Sequence, residues 1–232
     1  MRYNPIMTEA EWLACADPER MLSLLTGRAT ERKLRLFLVA CARSQLPPSP
    51  DEAMTEALAV AERYADGCGS RYDLARARKS LKEGHAARVR RWSPRYTDHI
   101  RSVPAWHAAR EGIVRAAGEG AGCCAWSSTR HERFGTVAMT YPADELAKQA
   151  GFLRDIFGNP FNPAPFDARW ATPAVAEFAR TIYDDRAYDR MFELAGALEK
   201  AGCTSAEALE HCRSGREHVR GCWVVDLILG KK

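Results

Sequence analysis

Glu31-Arg32-Lys33-Leu34-Arg35-Leu36-Phe37-Leu38-Val39-Ala40-Cys41 is the stretch whose periodicity decides the fold. Leu34, Phe37, Leu38 and Cys41 recur at i, i+3, i+4 and i+7, the spacing that gathers side chains on one face of an α-helix, and Leu36 and Val39 widen that face. A helix apolar over so much of its circumference belongs in a core. Leu46-Pro47-Pro48 stops it, because proline has no N–H to continue the helix and restricts the residue before it.

Outward from this helix, capping signals and apolar stripes repeat. On the N-terminal side, Thr8 with Glu11 fits a capping box, in which each side chain satisfies an orphan backbone donor. Asp17-Pro18 reads as an N-cap followed by proline at the first helical position. On the C-terminal side, Ser49-Pro50-Asp51-Glu52 predicts a capped helix carrying Leu58, Ala61 and Ala65, closed by Gly67. Ser70 starts another, with Leu74, Leu81, His85, Val89 and Trp92 on one face. Leu146, Ala150, Leu153 and Phe157 make a stripe ending at Gly158. Thr172-Pro173 opens a helix with Val175, Phe178, Ala179 and Ile182. Met191, Leu194, Ala195 and Leu198 follow, ending at Gly202, and Thr204 with Glu207 opens a short helix. No hairpin-type turn joins two alternating β-branched runs. The reading is all-α, a compact bundle of about nine helices in a single domain over 1–232, with a subdivision allowed near 93–141.

Three stretches break the pattern. Ser93 to Pro104 holds two prolines and reads as a bend, and Asn159 to Pro165 holds three and reads as an extended connector. Gly118 to Tyr141 has four glycines and no clear period, which predicts a long irregular loop. Composition agrees with an ordinary folded protein: 232 residues, 46% hydrophobic and 28% charged, with a mean hydropathy of −0.38. That length buries a core without covalent staples. No apolar run approaches the ~20 residues of a membrane span; the longest, Trp223 to Leu229, is interrupted by Asp226. Neither an apolar leader nor a span is visible, so the expectation is a cytoplasmic protein with no membrane partner. Its eight cysteines then read as free, mostly buried thiols, since no C-x-x-C occurs.

Three blocks carry a resemblance: Thr8-Glu9-Ala10-Glu11-Trp12-Leu13-Ala14-Cys15 at the start, Leu153-Arg154-Asp155-Ile156-Phe157-Gly158-Asn159-Pro160-Phe161 in the middle, and His218-Val219-Arg220-Gly221-Cys222-Trp223-Val224-Val225-Asp226-Leu227 near the end. They resemble a family of uncharacterised proteins of planctomycete bacteria. The resemblance implies kinship and a bacterial origin, and no reaction.

Charge is the most uneven feature. From Arg71 to Arg115 there are twelve basic residues against four acidic ones, a net charge of +8; the remaining 22 basic and 26 acidic residues leave −4. Tyr72, Trp92, Tyr96 and Trp106 are interleaved. Basic residues neutralise phosphates and aromatic rings stack on bases, so Arg78, Lys79, Lys82, Arg88, Arg90, Arg91 and Arg95 are candidate nucleic-acid contacts. The competing reading is a solvated helix whose arginines pair with the acidic remainder; the basic positions fall around much of the helix rather than in one stripe.

Cys203, His211, Cys212, His218 and Cys222 lie within twenty residues and are all zinc-ligand types. His218 and Cys222 stand at i, i+4, which one helical face can present together. Against a metal stands the absence of tight C-x₂-C or H-x₃-H pairs, so neither a metal nor any other cofactor is expected. Cys123-Cys124 with His131 supplies a thiol and a base in a glycine-rich loop, which only geometry can make a dyad. Asp226, set among Trp223, Val224, Val225, Leu227 and Ile228, must lie near the core and needs a partner such as Arg220, His218 or Arg154. Asp226, Arg220 and Trp223 are therefore read as structural.

With no convergent catalytic motif, the sequence is read first as a non-catalytic α-helical binding or interaction module, with another protein as its partner. Nucleic-acid binding through 71–115 is the alternative, and an enzyme assembled from distant residues is the third.

Overall fold

Helix starts follow from side chains that satisfy otherwise orphaned backbone N–H groups. Thr8 N–H donates to Glu11 Oε2 at 2.8 Å and Glu11 N–H to Thr8 Oγ1 at 3.3 Å, the reciprocal pair expected at the start of α1 (Glu9–Ala14). Asp17 Oδ1 accepts from Glu19 and Arg20 N–H and opens α2 (Pro18–Leu25). Thr30 caps α3 (Glu31–Ser44). Asp51 caps α4 (Glu52–Ala65), accepting from Ala53 N–H at 2.8 Å, so the cap lies two residues beyond Ser49. Ser70 and Asp73 form a second reciprocal box at α5 (Arg71–Arg91). Then come α6 (Ala143–Phe157), α7 (Pro173–Asp185) capped by Thr172, α8 (Met191–Lys200), α9 (Ala206–Arg213) and α10 (Trp223–Leu229). Ser205, not Thr204, caps α9, accepting from Ala208 N–H at 3.4 Å.

This computed structural model describes residues 7–46, 48, 50–91, 108 and 143–232, with the backbone alone for 85–91. Among the described residues the fold is all-α, with ten α-helices where the sequence reads as about nine, and no strand. The 93–104 bend and the 118–141 loop lie outside the described residues.

The chain divides into two compact units, Cys15–Ala150 and Met1–Ala14 with Gly151–Lys232. In the first, α3 is the buried centre that its periodicity predicts: Leu34, Leu36, Phe37, Leu38, Val39 and Cys41 are all buried, and α4 packs on both α3 and α5. Arg35 is buried among them; its guanidinium stacks over the Tyr64 ring at 4.8 Å and Nη1 donates to the Ala108 carbonyl at 2.7 Å. Arg43 makes a two-bond contact with the buried Glu62 carboxylate, both bonds 3.1 Å. Arginine's long stem makes such positions readable as apolar while its head still finds partners.

In the second unit α7, α8, α9 and α10 enclose a core that includes Ile182, Leu194, Leu198, Val224 and Val225. Trp12 of α1 is fully buried there. Its Nε1–H donates to the Gly158 carbonyl at 3.0 Å, and Arg154 Nε and Nη2 donate to the Trp12 carbonyl at 3.1 and 2.9 Å. The buried face of α6 is rotated from the predicted stripe: Phe152, Leu153 and Ile156 are buried, whereas Leu146 and Phe157 are only half-buried. The difference arises because this face also buries polar residues, Glu145, Gln149 and Asp155, which hydropathy assigns to the outside. Thiol burial holds for Cys41, Cys203, Cys212 and Cys222, but Cys68 is exposed and Cys15 half-buried.

Gly158 ends α6 in the left-handed region, φ 64°, and a Cβ there would stand 3.3 Å from Trp223 Cγ. A non-glycine residue in that region costs about 1–2 kcal/mol before any contact. Gly158→Ala should therefore lower stability by at least about 1–2 kcal/mol, measured as a reduced urea midpoint at unchanged slope. An unshifted midpoint would show that the α6 terminus can rearrange freely.

Candidate functional site

The ionisable side chains that converge most closely lie at the C-terminal end of α6 and in the segment joining α9 to α10. Asp155 shares the buried face of α6 with Phe152 and Ile156, one turn before Gly158. His211 is in the last turn of α9. After Arg213 the chain leaves the helix through Ser214 and Gly215, the latter at φ 63°, and runs irregularly to Cys222, the N-cap residue of α10. Gly221 at φ 97° and a Cys222 N–H to Val219 carbonyl bond of 2.9 Å close the turn that brings Cys222 back beside His218. His218 and Cys222 thus meet through a tight turn, not on the shared helical face that their spacing suggests; a left-handed glycine inside the segment makes a continuous helix impossible.

Asp155 gathers this segment. Its Oδ1 lies 2.6 Å from His218 Nδ1 and 3.0 Å from His211 Nε2, and its Oδ2 accepts the Val219 N–H at 2.8 Å. His211 Nε2 is also 3.3 Å from Cys222 Sγ, and His218 Nδ1 is 3.9 Å from it. The four ligand-type atoms all lie within 4.8 Å of one another. The two imidazoles meet edge to face at 4.8 Å, and the Trp223 ring covers His211 at 5.0 Å. Side-chain exposure is 4% for Asp155, 3% for His218 and 15% for His211, and Cys222 is fully buried.

The electrostatics follow from that enclosure. Burial opposes ionisation of Asp155, but hydrogen bonds from His211 and then His218 outweigh it and hold the carboxyl below its ordinary range. Burial, with the Asp155 charge added, pushes the Cys222 thiol well up. Cys212 is raised to about 12 by burial first and by Asp155 second. These are thiols without nucleophilic character in the absence of a cation.

Of the five residues singled out for metal, the fold brings His211, His218 and Cys222 together; Cys203 and Cys212 belong to the apolar core instead. Asp155 joins them from 56 positions before His211. Its one sequence signal is an acid at a core-facing position of an apolar helix, the same signal that marks Asp226. Asp226 is buried as expected. Of the residues proposed as its partners, His218 bonds Asp155 and Arg154 donates to the Trp12 carbonyl. Arg220 stacks over Tyr183 at 4.2 Å. Trp223 is half-buried against the core and the Gly158 turn. Along α5, Lys79 and Lys82 are exposed and Arg78 is half-buried; the side chains of Arg88, Arg90 and Arg91, and Arg95 altogether, lie outside the described residues, as do Cys123, Cys124 and His131.

No protein-family model matches the chain, nor does any curated protein or solved structure. No helix of the described residues is long and apolar enough to cross a membrane.

Burial and charge together set the order of thiol reactivity. In the native protein an alkylating reagent should label Cys68 rapidly and Cys15 slowly, and should reach Cys41, Cys203, Cys212 and Cys222 only after denaturation. Peptide mapping by mass spectrometry reads this directly; fast native labelling of Cys222 would show that the centre opens.

Proposed function

We propose that this protein is a non-catalytic α-helical binding module, in which the ionisable centre of the C-terminal unit serves the fold and binding falls to the outer surface. The enclosure of the centre carries this reading. A catalytic acid, base or nucleophile must have a substrate within hydrogen-bond reach. Here Asp155, His211, His218 and Cys222 meet one another within such reach, and the backbone N–H of Val219 takes the second oxygen of Asp155. Outside, Phe192 of α8 is 68% exposed, with the Arg213 guanidinium 6.0 Å above its ring and Arg213 itself paired with Glu199. An exposed aromatic beside an arginine is the composition enriched where proteins bind one another.

Two substitutions test the division of labour. Asp155→Ala should destabilise the protein by about 3–5 kcal/mol, the cost of breaking a buried ionic contact from one side. Phe192→Ala should change stability by no more than about 0.5 kcal/mol. Chemical denaturation followed by circular dichroism reads both. An Asp155→Ala protein as stable as the parent would remove the structural role of the centre and reopen a catalytic one.

One observation favours nucleic-acid binding as a second reading. On the described part of α5, Tyr72, Arg76, Lys79 and Lys82 are exposed while Leu74, Ala77 and Leu81 are buried, so ring and cations share the outer side of the helix. Arg76 and Lys79 approach Asp73 and Glu83 at 3.7 and 3.8 Å, exposed pairs that salt screens and that hold their partners weakly. On this reading, fluorescence anisotropy with a labelled single-stranded oligonucleotide shows affinity falling steeply with salt. Replacing Lys79 and Lys82 by Ala then flattens the log–log salt slope by about 1.4. A slope unchanged by the double substitution rules α5 out as the contact surface.

A further inference from the structure

We propose that Asp155, His211, His218 and Cys222 form a closed tetrahedral site for one zinc ion. The inference rests on the reading that the centre serves the fold, and names the ligand it serves it with.

The donor set comes first. Two imidazole nitrogens, one sulfur and one carboxylate oxygen make a mixed, borderline-soft set that suits zinc and does not suit calcium or magnesium, which take oxygen ligands. The nitrogen–sulfur distances agree with the same ion. Zinc bonds of the usual lengths at tetrahedral angles place nitrogen and sulfur about 3.6 Å apart, and oxygen and nitrogen about 3.3 Å apart. The two nitrogen–sulfur separations here, 3.3 and 3.9 Å, straddle the first value. The oxygen–nitrogen separations, 2.6 and 3.0 Å, are those of groups sharing a proton, and a metal in its place requires them to widen by about 0.7 and 0.3 Å.

Charge points the same way. Asp155 is buried with contacts from two imidazoles and one backbone N–H, and no lysine or arginine is among them. A dication with one carboxylate, one thiolate and two neutral imidazoles is a neutral assembly, the condition under which so many ionisable groups can leave water together. Binding releases the proton of Cys222 to solvent, while a proton on the metal-facing nitrogen of a neutral ring moves to that ring's other nitrogen, so both imidazoles bind neutral; no electron moves. His218 Nε2 is buried without a partner, so Nδ1, which faces the centre, is the nitrogen of that ring available to a metal. The Val219 N–H on Asp155 Oδ2 orients the carboxylate and leaves Oδ1 for the ion, as outer-shell hydrogen bonds do at zinc sites. Four protein donors and burial leave no coordination position for a substrate, which makes the site structural.

The geometry also explains why spacing conceals it. Two of the three C-terminal ligands are brought together by the Val219–Cys222 turn, and the fourth ligand comes from a helix far away in sequence.

The test uses the full-length chain, expressed with zinc in the medium and analysed for metal after extensive dialysis. One zinc per chain is expected. It should be retained in Cys203→Ser and Cys212→Ser and lost in Cys222→Ser and His218→Ala. Since these last variants can fail to fold, the wild-type protein gives an independent readout. Stripped of metal and titrated with cobalt(II), it should show visible d–d bands of tetrahedral intensity and a thiolate-to-cobalt charge-transfer band, both abolished by one equivalent of zinc. Chelation should lower the thermal midpoint and zinc restore it. Protein without stoichiometric zinc and without a cobalt spectrum overturns the site, while a destabilised Asp155→Ala would still uphold the fold-serving role. A cobalt spectrum without the sulfur band places the metal elsewhere and overturns it too. Weak bands of five- or six-coordinate cobalt mean an open site, and overturn both the closed site and the non-catalytic reading.

Discussion

A buried carboxylate is the constraint on which the C-terminal unit depends. Asp155 cannot sit ionised in an apolar interior without compensation. Its two oxygens meet that demand with His211 at the end of α9, His218 in the following segment, and the backbone of Val219. The irregular chain between α9 and α10 has little apolar surface of its own to bury, so its course is set by these polar contacts. Through Cys222 they fix the residue from which α10 starts, and α10 supplies Val224, Val225 and Ile228 to the core.

The same helix end is held from its other side. The left-handed turn at Gly158 presents its carbonyl to Trp12, while Arg154 returns two hydrogen bonds to the Trp12 carbonyl. Because a Cβ at Gly158 would press on Trp223, the glycine is needed both for its backbone angle and for its lack of a side chain. Arg154, Asp155 and Gly158, three residues in one short stretch, thereby tie α1, the α9–α10 segment and α10 to α6. Local polar geometry and apolar packing reinforce each other here, as they do in chains whose local preferences agree with the global fold.

Side-chain chemistry divides along the same lines as burial. The groups with the richest chemistry are turned inward on one another, and the groups available to a partner are an aromatic, arginines and lysines on outer faces. A centre of that kind contributes specificity of fold, because a register shift in the α9–α10 segment would strand a carboxylate or a thiol without its partners. Outer faces of α5 and α8 retain freedom to contact other molecules.

The all-α class was legible in the chain because helix periodicity and caps are local: Leu34 to Cys41, Thr8 with Glu11, Asp17-Pro18 and Thr172-Pro173 each state their outcome within a few residues. Where two capping residues stood close together, at Ser49 and Asp51 or at Thr204 and Ser205, local chemistry allowed either, and backbone geometry chose the later one. Three of the four residues of the centre were legible too, since His211, His218 and Cys222 lie near one another in the chain. The exclusion of Cys203 and Cys212, the turn that replaces a helix between His218 and Cys222, and the arrival of Asp155 were decided by the tertiary structure alone. A ligand contributed by a distant helix has no spacing to read, and hydropathy places an aspartate outside. Only when α6 is packed in place does the energetic demand of that carboxylate become visible, along with the donors that meet it.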